Sequence, residues 1–146
     1  MIVYLDTSAL VKRYIQETGT EDVVALVDDA EAVGSVTLTQ VEIASALGKA
    51  ARLEWVEQSV ATRAWKDFLM HWPSFTRIGV TPLLAERASQ LSWKYELRAY
   101  DAIHLAASLI WQETLDMSIT LAVYDRELWL AGQKAEIRVW PENLYS

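Results

Sequence analysis

The sequence predicts an α/β fold in which a mainly parallel sheet carries helices on both faces. Three observations lead there. Short apolar runs alternate with helix-periodic stretches from one end of the chain to the other. No repeat, low-complexity tract or linker interrupts the alternation. The 146 residues, 52% of them hydrophobic, suffice for one domain with a sizeable core and are too apolar for a disordered chain.

The elements follow in order. Residues 2–5, IVYL, read as a strand. Residues 8–16 read as a helix closed by Gly19, and 20–29 as a second short helix. A short strand over 32–36 precedes a helix over 40–53. A longer helix over 56–72 stops at Pro73. Residues 75–80 form a strand, and Pro82 suits the first turn of a helix reaching Tyr95. Helix 99–112 leads to a strand over 119–123. Helix 126–131 ends at Gly132, and 137–140 is the last strand.

Composition removes several function classes. No apolar run reaches the eighteen or so residues of a membrane span. The opening residues lack a basic leader with a long apolar core, so no signal peptide is expected. Cysteine is absent, which removes disulfides and thiolate metal sites and suits a reducing cytoplasm. Two histidines, His71 and His104, do not make a histidine-rich zinc site. The net charge of −7 argues against nucleic-acid binding by bulk charge. It leaves room for a nuclease whose acidic site is loaded with cations.

In a parallel sheet, ligands sit beyond the carboxyl ends of the strands. Asp6 follows the first strand, and Asp125 lies just past the strand over 119–123. Each also has a structural reading. Asp6 suits a helix cap, though Thr7 or Ser8 would serve and leave it free. Asp125 suits an N-cap before residue 126. Glu42 completes a T-x-x-E capping box with Thr39, and Thr37 with Gln40 offers a competing one. Asp101 opens a helix that is polar between residues 102 and 111 only at His104 and Ser108. A carboxylate there gains from the helix dipole but needs a cation or donors against desolvation. His104 shares a helix side with Asp101 and reads as a hydrogen-bonded core histidine. Asp22, Asp28, Asp29, Asp67 and Asp116 read as surface charge. The seven tryptophans read as core, with a dimer or partner surface as the sharper alternative.

Taken together, LDTSALVK, TQVE, LRAYDAIHLA and VYDREL resemble the PIN-domain family, and within it the VapC-type toxins of toxin–antitoxin pairs. The resemblance runs from Ile2 to Pro141. It implies a three-layer α/β/α sandwich, a single domain over 1–146. It implies Mg²⁺- or Mn²⁺-dependent endoribonuclease activity on RNA, a neutralising antitoxin and a homodimer. Residue by residue, it assigns Asp6, Glu42, Asp101 and Asp125 to metal binding and catalysis, with Ser8 as a supporting hydroxyl. Val123 stands where the family's threonine is common. Lys12, Arg13, Lys49, Arg52 and Arg98 lie near these motifs as candidate RNA contacts. Such chemistry suits the residues. A divalent ion activates water and neutralises phosphate charge, hard oxygens select Mg²⁺ or Mn²⁺, and four unpartnered acids would repel one another.

Other readings have less support. Ser8 occupies the place of the second aspartate of haloacid-dehalogenase phosphatases. The acid pair and lysine of response-regulator receivers are not evident, and no G-x-x-x-x-G-K-S/T loop exists. A non-catalytic PIN-like module that binds RNA or protein is the remaining alternative.

Overall fold

The computed structural model describes residues 1–144, so the last two residues of the 1–146 span lie outside the described residues. Among the described residues, five strands form one parallel sheet: β1 (Ile2–Leu5), β2 (Ala32–Val36), β3 (Thr76–Ile78), β4 (Thr120–Ala122) and β5 (Arg138–Trp140). Their order across the sheet is β3-β2-β1-β4-β5. β1 is central and pairs with both β2 and β4, with Val3 opposite Val33 on one side and Thr120 on the other.

Among the described residues, seven helices cover the sheet: α1 (Thr7–Leu10), α2 (Thr20–Asp29), α3 (Leu38–Arg52), α4 (Gln58–His71), α5 (Pro82–Tyr95), α6 (Ala99–Leu115) and α7 (Arg126–Lys134). Alternate residues of a strand point to opposite faces, and β1 shows what this does. Val3 and Leu5 enter a core built with α1, α3 and α4, around Leu10, Ile43 and Phe68. Tyr4 enters the opposite core, built with α5, α6 and α7 around Leu84, Leu105 and Leu128. The expected α/β/α sandwich is present. Among the described residues, no helix is long and apolar enough to cross a membrane.

The strands and most helices fall where the sequence places them, and three differences have physical causes. The helix expected over 8–16 is only α1 followed by a 3-10 turn, Val11–Arg13. There the chain bends so that Tyr14 packs edge-on against Phe68. Gly19 opens α2 instead of closing that helix: its φ is +95°, and a Cβ there would lie 2.8 Å from the Tyr124 hydroxyl. Gly132 does not end α7, which continues to Lys134. A Cβ at Gly132 would lie 2.7 Å from Val139 Cγ1, so the glycine lets the helix approach the sheet.

Of the tryptophans, Trp72 and Trp111 are buried in the two cores. Trp65 stacks on Phe68, while Trp55 and Trp93 are exposed.

Candidate active site

The carboxyl edge of the sheet is assembled by the first motif, D-T-S. The Asp6 N–H donates to the Ala122 carbonyl at 3.0 Å, continuing the β1–β4 pairing by one residue. The three side chains then divide the work. Asp6 Oδ2 accepts from the Ser8 N–H at 3.1 Å and from the Ser8 hydroxyl at 2.5 Å. Asp6 is therefore itself the cap of α1, one of the two readings the sequence left open. Its second oxygen, Oδ1, stands 3.2 Å from His104 Nε2. Cap and site residue are one side chain, with one oxygen for each role.

Ser8 Oγ in turn accepts from the Tyr124 and Asp125 N–H groups at 2.9 and 3.3 Å. One hydroxyl thus binds the end of β1 to the segment after β4. Val123 lies wholly buried in the core. The hydroxyl that orders this corner is Ser8.

Glu42 is in neither capping box. Thr37, the residue before α3, makes no side-chain cap bond. Thr39 is buried and its hydroxyl pairs with Ser35 Oγ at 2.7 Å, while Gln40 accepts from the Trp72 indole. Glu42 instead crosses to the first motif. Its Oε1 accepts from the Thr7 hydroxyl at 2.8 Å and lies 2.6 Å from His104 Nε2. Burial works to raise its pKa, but His104 and Thr7 outweigh burial and hold it below its ordinary value.

His104 is fully buried, as expected of a core histidine. It is also the centre of the acid pair, with Nδ1 2.8 Å from the Tyr4 hydroxyl and Nε2 facing Asp6 and Glu42. Burial alone would lower its pKa; Asp6 and Glu42 reverse the direction and raise it.

Asp101 and Asp125 form the second pair. Asp101 sits in the first turn of α6 and is 2% exposed. Burial, then the charges of Asp125 and Asp6, push its pKa up to about 6, against the pull of Arg98 and His104. Asp125 caps α7, accepting from the Leu128 N–H at 3.0 Å. Arg98 spans the two, with Nη2 3.4 Å from an oxygen of each. Of the five candidate cations, Arg98 is the one bonded to the acids among the described residues. Lys12 lies over the Tyr124 ring and bonds Glu17, and Lys49 lies over Trp55.

All four acids named from the sequence therefore stand at one edge, linked in pairs by an imidazole and a guanidinium. Among the described residues, no three His, Asp or Glu side chains are gathered tightly enough to hold a metal ion as they stand. The donor chemistry fits a hard divalent cation all the same. The donors are carboxylate oxygens, Asp101 is destabilised as an anion, and the Arg98 guanidinium already leans on the cluster.

Residues 3–128 match the PIN domain family. The chain belongs to the PIN-domain family. Its curated relatives include Ribonuclease VapC45 of Mycobacterium tuberculosis (strain CDC 1551 / Oshkosh), 36% identical over 98% of this chain and 97% of the relative. Ribonuclease VapC49 of Mycobacterium tuberculosis (strain ATCC 25618 / H37Rv) matches with the same identity and coverage. The chain thus falls among the VapC ribonucleases of the PIN family. Solved structures share the fold. FitAcB from Neisseria gonorrhoeae superposes with a TM-score of 0.64 at 19% identity, covering 95% of this chain and 96% of that one. VapBC2 from Rickettsia felis, bound to a promoter DNA fragment, gives 0.64 at 10% identity, covering 95% and 97%.

Proposed function

We propose that this PIN domain is a metal-dependent endoribonuclease, the toxin of a VapBC-type toxin–antitoxin pair. The observation that carries this reading is the pairing of four carboxylates at one sheet edge, two on the His104 imidazole and two on the Arg98 guanidinium. The ribonuclease name of the 36%-identical relatives supplies the chemistry that such an edge suits.

In this reading Asp6, Glu42, Asp101 and Asp125 hold Mg²⁺ or Mn²⁺. Such an ion lowers the pKa of a water and neutralises charge building on the scissile phosphate. The chain's own residues prepare the place. Ser8 fixes Asp6, and Thr7 with His104 fixes Glu42. Asp101 ionises fully at neutral pH once positive charge lies beside it. Arg98, exposed and already extended over two acids, is placed to meet a phosphate. The substrate class is structured RNA with a single-stranded loop, where backbone and bases are accessible.

The proposed partners follow the same logic. An arginine of the antitoxin would take the place that Arg98 now holds across Asp101 and Asp125. Exposed Trp55 and Trp93 support a homodimer and a protein-binding face. A reducing cytoplasm is the proposed location, and 1–146 a single domain.

The deciding experiment is cleavage of a stem-loop RNA with Mg²⁺ or Mn²⁺, with excess EDTA, and with Asp6→Asn. Cleavage lost in both controls is expected. Unchanged cleavage in EDTA would overturn the metal-dependent reading. RNA binding with no cleavage in any metal would favour the non-catalytic module.

A further inference from the structure

We propose that His104 is a positioning residue that donates from Nε2 to Glu42 and Asp6, and that Tyr4 sets the plane of its ring. The inference rests on the metal-site reading above, but its basis is geometric.

His104 is fully buried, so each ring nitrogen must be satisfied by protein. On the Nε2 side stand Glu42 Oε1 at 2.6 Å and Asp6 Oδ1 at 3.2 Å, with the Thr7 hydroxyl at 3.4 Å, its own proton directed to Glu42 Oε1. Ionised carboxylates only accept, so Nε2 must carry a proton. On the Nδ1 side stands the Tyr4 hydroxyl at 2.8 Å. A hydroxyl both donates and accepts, so it is satisfied with Nδ1 in either state. Tyr4 is itself anchored, since its oxygen accepts from the Val36 N–H at 3.3 Å. The result is a rigid line from strand β2 through Tyr4 and His104 to two acids from different elements.

The arrangement leaves the acids asymmetrically engaged. Thr7 and His104 both bond Oε1 of Glu42, and neither bonds Oε2. Glu42 is held by one oxygen with the other available. A second-layer donor of this kind fixes the direction of a ligand and typically accounts for 10–100-fold in metal affinity.

The test has two arms. In the first, metal-free protein is labelled at the histidine nitrogens and observed by NMR, where His71 and His104 are the two ring signals to assign. A proton on His104 Nε2, coupled across its bonds to the carboxylates, is expected. An Nε2 without a proton overturns the proposal. In the second, Mn²⁺ affinity is measured by calorimetry for the wild type, His104→Leu, His104→Gln and Tyr4→Phe. The glutamine amide can restore a donor near Nε2, and leucine cannot. A loss of about tenfold or more in His104→Leu, recovered in large part by His104→Gln, is expected. Tyr4→Phe should fall between them, with a broadened His104 signal. Equal Mn²⁺ affinity in the leucine variant and the wild type overturns the proposal. So does a leucine defect that glutamine fails to relieve in a folded protein. Should both His104 variants fail to fold, Tyr4→Phe decides: unchanged affinity and an unchanged ring signal overturn the role of Tyr4. A wild type that binds no Mn²⁺ sinks the proposed function instead, and the metal-free arm still decides what His104 holds.

Discussion

Replacing Glu42 with glutamine separates holding the fold from doing chemistry. Glutamine keeps an oxygen where Oε1 accepts from Thr7 and His104. What is lost is charge. A hydrogen bond to a charged group contributes about 1.5–3 kcal/mol and a neutral one about 0.5–1.5, so the two bonds together weaken by about 2 kcal/mol. Against this, the anion at Glu42 no longer works against its own burial, the largest influence on its pKa. The two effects oppose each other and leave a net loss of about 1 kcal/mol or less, a shift in Tm of about 2–4 °C. On the proposed reading, in which Glu42 is an anionic metal ligand, cleavage should fall far more, by at least a hundredfold. Thermal melts and initial cleavage rates on the same preparation measure both. A variant that melts close to the wild type and cleaves at the wild-type rate would refute the assignment of Glu42 to the reaction. A variant whose residual cleavage simply follows its folded fraction would show that Glu42 serves the fold alone.

Other outcomes follow from the same geometry. Arg98→Ala removes the guanidinium that competes for Asp101 and Asp125; Mn²⁺ binding by calorimetry should tighten several-fold, and weaker binding would contradict the competition. Asp101 has its folded pKa raised to about 6 from 3.8, so its protonated form favours folding. In EDTA, its contribution is fully present below about pH 4 and lost as pH rises through about 6, a change of about 3 kcal/mol. Urea melts across that range should show the loss in the wild type and not in Asp101→Asn. Gly132→Ala places a Cβ 2.7 Å from Val139 Cγ1 and 3.2 Å from Leu121 Cδ2. Overpacking of about 1–3 kcal/mol should exceed the roughly 1 kcal/mol of helix propensity gained, and a variant more stable than the wild type would refute the close-approach role.

The sheet was legible because strand alternation and turn residues are local signals. The apolar runs around residues 2–5, 32–36 and 119–123 each became a strand. Parallel topology placed Asp6 and Asp125 past strand ends, while Glu42 and Asp101 were assigned to the same edge by the family resemblance. Their local partners were not legible. The T-x-x-E pattern at Thr39 is a valid capping box in isolation, but Ser35 claims the Thr39 hydroxyl from the neighbouring strand. Asp6 posed a false choice, because a carboxylate has two oxygens and the fold uses each differently. His104 carried a signal that a spacing argument can find, one polar residue three after Asp101 on an apolar helix. Its meaning depended on Tyr4, a hundred residues away, which no window along the chain contains. Gly132 shows the same limit, since only Val139 across the helix–sheet contact reveals why a glycine is there.

The bond from Ser8 to the Tyr124 and Asp125 amides spans 116 and 117 residues, and β1 meets β4 over the same distance. A chain being made on a ribosome cannot form either until its late segment has been added. At about 5–20 residues per second, the interval from Asp6 to Asp125 lasts roughly 6–24 s. Throughout it the chain lacks at least one acid, the cap of α7 and the pairing that places Asp6 beside Ala122. On the proposed reading, an enzyme that destroys RNA is thereby harmless to the message being translated. On that reading its site is completed only late in synthesis, and a chain stopped before residue 125 lacks the fourth acid.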